Sequence, residues 1–205
     1  VCDSAGYTPL HYSAQHGHVA ATSLLLQLGC HVDGRDCGRN KFSGATPLHR
    51  ASFSGSVSAM RILLGHETPQ CDILATDTSF GDGMTPLHKA IAGGRQLAVK
   101  LLLDALVQRR LLDDAIAMQD SAGRTPLQLA KERNADPDQE AARISVARWD
   151  KTSGGQPADW RLCLEILQNA IDDRSDKSSA TNDAVLPKPP QCLTQLTVCA
   201  IDCTP

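Results

Sequence analysis

One phrase recurs four times along this chain: GYTPLHYSAQHGH from Gly6, GATPLHRASFSG from Gly44, GMTPLHKAIAGG from Gly83 and GRTPLQLAKERN from Gly123. Its threonines, Thr8, Thr46, Thr85 and Thr125, lie 38, 39 and 40 residues apart. Gly stands two residues before each Thr, Pro follows it (Pro9, Pro47, Pro86, Pro126), and Leu comes next (Leu10, Leu48, Leu87, Leu127). Five residues after each Thr is a small side chain, Ser13, Ala51, Ala90 or Ala130, and nine after it Gly17, Gly55, Gly94 or Asn134. The first three copies go on to aliphatic triplets at 24–26, 62–64 and 101–103. A chain that repeats itself at this interval folds by stacking its copies, because one copy is too small to bury its own apolar surface.

The offsets predict a helix hairpin in each copy. Gly makes a turn, and Thr caps the first helix by satisfying an orphan amide, which contributes about 1 kcal/mol. Pro suits the first helical position, where its missing N–H costs nothing. Leu and the small residue three later share one face, and the small residue admits a close neighbour. Gly17, Gly55 and Gly94, with Asn134 as substitute, are expected to end this short helix in a left-handed conformation. The second helix carries the aliphatic triplet and must be covered over a broad face, each buried Leu contributing roughly 1.5–3 kcal/mol.

The pattern G-x-TPLH-x-A, then Gly, then a leucine triplet, resembles the ankyrin repeat family over about residues 3–171. The resemblance implies an all-α repeat solenoid of four stacked helix hairpins, with repeats at about 3–35, 36–76, 77–116 and 120–171. It also implies finger-like loops along one edge and a protein-binding concave face. The family period is about 33 residues, so each interval here is longer. The extra residues are expected in the connecting loops at 34–44, 65–83 and 104–123, the third beginning with an extension of its helix through VQRRLL. The fourth copy carries an insertion at 135–158, after which Ile166-Leu167 aligns with Leu63-Leu64. From Asp172 to the end the chain turns polar and Pro-containing, the composition of a disordered tail; CLTQLTVCAID at 192–202 is a candidate strand or docking peptide.

Composition excludes several classes. With 20 basic and 23 acidic side chains, no general basic field exists to attract nucleic acid. Aromatics make up 3 %, too few for base stacking, and the longest apolar run, about four residues, is far short of the roughly 20 that span a bilayer. The chain opens on Val1 rather than Met, with the expectation that the polypeptide begins upstream. Eight cysteines without a CxxC pair are read as mostly reduced. That reading and the absence of an N-x-S/T sequon place the protein inside the cell, in the cytoplasm with the nucleus also open.

His11, His49 and His88 occupy one repeat position, where the fourth copy has Gln128. Gln is a poor metal ligand but a good hydrogen-bonding group, so these side chains are read as ties to the neighbouring loop, as in ankyrin repeats. Cys192, Cys199 and Cys203 lack the fourth ligand a zinc site needs. Asp113-Asp114 and Asp172-Asp173 have no partner base, and no Walker loop, GxSxG or HExxH is present. No cofactor, metal or catalytic residue is expected.

The function expected is protein binding by a monomeric solenoid, without nucleic acid or membrane. Positions that folding does not use are free to carry specificity. In the first helices these are Tyr12, Arg50 and Lys89, four residues after Thr, with His16 and Phe53 nearby. In the fingers they are Arg35, Arg39, Lys41, Asp77, Phe80 and Asp82; the basic and acidic members could also pair with each other. Reversing Lys41 and Lys89 to Glu is expected to weaken capture of a partner without loss of helicity. Three other readings stay open: a regulatory fragment of a larger enzyme or channel, a substrate-adaptor subunit docking through 192–202, and an intrinsic enzyme.

Overall fold

The computed structural model describes residues 2–34, 44–78, 81–135 and 158–182, with residues 175–182 as helix backbone only. Within them the chain forms α1 (Pro9–Gln15), α2 (Val19–Gln27), α3 (Pro47–Ser54), α4 (Val57–Leu64), α5 (Pro86–Ala92), α6 (Gln96–Gln108), α7 (Leu112–Ala117), α8 (Pro126–Ala135) and α9 (Trp160–Asn182). The first helices pack in a row, α1 on α3, α3 on α5 and α5 on α8. The second helices form a parallel row, α2 on α4, α4 on α6 and α6 on α9. The architecture is an all-α repeat solenoid of four hairpin layers. No strand occurs among the described residues; the fingers hold only isolated bridges, Glu67 to Gln70 and Asp77 to Met84.

The repeated phrase builds each layer as its chemistry requires. Pro occupies the first turn of α1, α3 and α5, and the Thr46 and Thr85 hydroxyls accept the amides of His49 and His88 at 3.4 Å. Leu10, Leu48 and Leu87 are buried under the next layer with Ala51, Ala90 and Ala130. Gly17 and Gly55 leave their helices at φ 68° and 78°, which a side chain would strain. Gly94, at φ 64°, also lies so close to Ala158 that an added Cβ would sit 2.7 Å from its Cβ. Asn134 does not serve as the fourth left-handed cap; it lies inside α8, which runs one residue further, to Ala135.

Hydrogen bonds lock each layer to its neighbour at two points. In the hairpin turns, Ser56 Oγ donates to Gln15 O at 2.8 Å and Arg95 Nε to Phe53 O at 3.2 Å. The Asp159 amide donates to Gly94 O at 2.9 Å, continuing the series into the fourth layer. In the fingers, the Asp72 amide donates to Asp33 Oδ1 at 3.1 Å and the Ser121 amide to Asp82 O at 3.0 Å. The tetrapeptide Asp-Ser-Ala-Gly, at Asp3–Gly6 and Asp120–Gly123, folds into the same turn twice, each Asp Oδ1 accepting the amides two and four residues on at 2.9 Å.

Three expectations need correction. The third connection is not a loop begun by a helix through VQRRLL. α6 stops at Gln108, Arg110 turns at φ 58°, and the separate α7 follows. Arg109 fixes that break, donating to Cys71 O at 2.8 Å and Leu64 O at 2.9 Å and so tying the end of α6 to the second finger. In the fourth layer, Cys163 and Leu167 take the fully buried positions held by Ala59 and Leu63 in the second. Leu167 therefore matches Leu63, one residue off the sequence alignment. Finally, α9 continues past residue 171 to Asn182, so 172–182 is helical rather than irregular, with Arg174 reaching the Asp113 carboxylate on α7. The insertion core at 136–157 and the remaining tail, 183–205, lie outside the described residues. Of the cysteines expected to be mostly reduced, Cys30, Cys71 and Cys163 are free thiols and Cys2 is disulfide-bonded.

Candidate functional site

The row of first helices presents one register outward. Four residues after each capping Thr stand Tyr12, 44 % exposed, then Arg50 and Lys89, both half-buried. The fourth such position is Leu129, which is fully buried, so the open line runs over three layers. At its centre is a pocket of about 130 Å³ walled by Tyr7, His49, Arg50, Phe53, Asp77 and Lys89. Four of the sequence-predicted residues, Arg50, Phe53, Asp77 and Lys89, thus meet in one place.

Their electrostatics differ sharply. Lys89 Nζ lies 3.0 Å from Asp77 Oδ2 and 2.7 Å from Asp82 Oδ2, and its side chain is 14 % exposed. Asp77 is buried and Asp82 about one-third exposed. These three predicted binding residues are therefore spent on one another, which joins the second finger to α5. Arg50 is different. Its guanidinium lies 4.0 Å above the Tyr7 ring and has no carboxylate partner among the described residues. A cation on an aromatic face keeps its charge available to a newcomer while its stem stays ordered. Tyr12 is held by a 2.6 Å hydrogen bond from its hydroxyl to Asp3 Oδ2, which holds the Asp3 carboxyl below its ordinary range and raises the phenol.

Phe53 packs against Ala158 and Trp160, where the chain rejoins the fourth layer, so part of its ring serves the fold. His16 is half-buried, its ring 5.9 Å from that of His18. Arg35, Arg39, Lys41 and Phe80 lie outside the described residues. The sequence reading missed Tyr7, the platform under Arg50, and Asp3, the anchor of Tyr12. Tyr7 is one residue before Thr, where the other copies carry Ala45, Met84 and Arg124, so only its aromatic character set it apart.

The repeated histidines are structural. The Thr8 and Thr46 amides each donate to the following His Nδ1 at 3.0 Å and the Thr85 amide to His88 Nδ1 at 3.4 Å. The opposite Nε2–H donates to the next layer: His11 to Ala45 O at 2.8 Å, His49 to Met84 O at 3.0 Å, His88 to Arg124 O at 3.1 Å. An Nδ1 that accepts and an Nε2 that donates define the neutral ring. Burial lowers His11 and His49 to about 4 and depresses His88 as well. Gln128 reproduces the first half of the device, its Oε1 accepting the Thr125 amide at 2.8 Å. Burial also pushes the Cys163 thiol up to about 12, far from a reactive thiolate. Among the described residues, no three His, Cys, Asp or Glu side chains are grouped to hold a metal ion, and no helix is long and apolar enough to cross a membrane.

Comparison with known proteins agrees with this geometry. A family described as ankyrin repeats (3 copies) matches residues 1–77, and the single ankyrin repeat matches residues 82–110. The chain is also similar to the SMC5-SMC6 complex localization factor protein 1 of Bos taurus and of Homo sapiens, 36 % identical to each over 69 residues. That match covers 34 % of this chain and 6 % of the relatives' length. With the helix-pair stack and matches that together span more than half of its length, the chain belongs to the ankyrin repeat family.

Proposed function

We propose that this protein is a non-enzymatic binding module that takes a protein partner on its concave face, centred on Tyr12 and Arg50. Ankyrin repeats are generally protein–protein interaction modules. The observation that carries the present reading is Arg50: an ordered, half-exposed cation stacked on Tyr7, in the open line of a rigid row, with no carboxylate of its own. A preorganised surface of this kind loses little entropy on docking. Tyr and Arg are both among the residue types enriched where binding energy concentrates. The neutral, buried histidines and thiols offer no group poised for catalysis.

The test is affinity capture from native cells with wild-type protein, the double variant Tyr12→Ala/Arg50→Glu, and Lys100→Glu as a control on an exposed position of α6. A partner retained by wild type and Lys100→Glu but lost by the double variant, at equal helicity, is the expected result. Equal retention by all three removes the concave face from the proposal.

A further inference from the structure

The two ends of the stack are built differently. At the α8–α9 end most exposed side chains are polar or charged, Lys131, Glu132, and Arg161 and Glu165, which pair at 3.1 Å. The one large apolar side chain exposed on these two helices among the described residues is Leu162, at 36 %. A terminal layer needs such a face to meet water. At the other end α2 exposes Ala21, Leu24 (55 %) and Leu28 (73 %), with Leu25 only half-buried and Pro9 of α1 exposed beside them.

The inner layers show what these positions are for. Ala21 corresponds to Ala59 and Ala98, and Leu25 to Leu63 and Leu102; all four inner residues are fully buried. Pro9 corresponds to Pro47, Pro86 and Pro126, all buried. In the second and third layers these residues form the face that receives the preceding helix pair, since α4 packs on α2 and α6 on α4. A second feature agrees. Ser56 and Arg95, ten residues after their capping Thr, donate to a carbonyl of the preceding layer. Their counterpart is His18, whose exposed side chain makes no hydrogen bond among the described residues. The first layer thus has the receiving face and the turn donor of an inner layer, both unengaged.

We infer that α1–α2 is an inner layer whose free face receives a further ankyrin-type helix pair, carried on the same polypeptide ahead of Val1. Continuity with the α2–α4 and α4–α6 interfaces selects this occupant. A second copy stacked head to tail would bring the charged Lys131, Glu132, Arg161 and Glu165 of its α8–α9 end toward apolar Leu24 and Leu28. Two copies meeting through their first layers would oppose two receiving faces, an arrangement no inner interface uses.

The experiment joins one consensus ankyrin-type helix pair directly ahead of the 205-residue chain and compares it with the unextended chain, following amide exchange in α2 and mass by light scattering. Stacking is expected to slow α2 exchange roughly tenfold or more, because opening then breaks an additional interface. Leu24→Glu/Leu28→Glu is expected to abolish that protection in the extended chain while leaving the helicity of the unextended chain unchanged. Unaltered α2 exchange on extension would overturn the inference. So would a dimer of the unextended chain that the same double variant turns into monomer, since the face would then belong to a second copy.

Discussion

At the scale of single residues, Lys89 and the three histidines show how far a position's role depends on what surrounds it. From the repeat alone Lys89 is a free groove cation; in the structure it sits between Asp77 and Asp82. Lys89→Glu would place three carboxylates together, so it is expected to destabilise the fold by about 3–5 kcal/mol, as removal of one partner from a buried pair does. Chemical denaturation measures this, and an unchanged midpoint would show the pair to be dispensable. For this reason Arg50, not Lys89, is the clean probe of binding. The histidines set a pH response. Their folded-state values are depressed below the ordinary 6.5, to about 4 for His11 and His49. The unfolded chain therefore binds protons first, and stability that is complete above pH 6.5 is lost as pH falls toward 4. His11 and His49 each contribute about 1.4 kcal/mol per pH unit within that window, and His88 adds to the loss in the same direction. Thermal melts from pH 7.5 to 4 are expected to show this slope. His49→Gln should make the slope shallower, while costing about 1 kcal/mol at neutral pH for the lost bond to Met84 O.

At the scale of elements, the short first helices were legible because every signal agrees: Thr as cap, Pro in the first turn, Leu and Ala on one face, glycine at the exit. The irregular pieces were not. Nothing local in VQRRLL says that the helix must break at Arg110; the reason is tertiary, the Arg109 bonds to Cys71 O and Leu64 O. The extent of α9 was hidden by the polar composition after Asp172, although a helix already anchored by Trp160, Cys163 and Leu167 can carry polar turns beyond its packed part. The candidate site was legible in part for the same reason. Repeat register singled out Tyr12 and Arg50, but the pairing of Lys89 with a distant finger depends on how a nineteen-residue connection folds. The anchoring of α9 is testable. Leu167→Ala, at a fully buried position, is expected to cost about 2–5 kcal/mol. Arg174→Ala, which breaks an exposed pair with Asp113, should cost less than about 1 kcal/mol. Denaturant midpoints giving the reverse order would mean that α9 is held by its tail rather than by its packed face.

At the scale of the whole molecule, each layer is half of two interfaces, so stability and function both depend on the row. The α3–α4 and α5–α6 layers have neighbours on both sides, whereas α1–α2 has its receiving face open. A groove that spans Tyr12 and Arg50 exists only while the first and second layers stay in register through His11, Ser56 and Asp33. Native-state amide exchange with residue resolution tests this most directly. In a coupled row, amides at Leu48, Leu63, Leu87 and Leu102 open with one shared free energy, and those of α2 open at a lower one. If α3–α4 exchanged freely while α5–α6 stayed protected, or the reverse, the layers would be independent units and the continuous binding face would not exist.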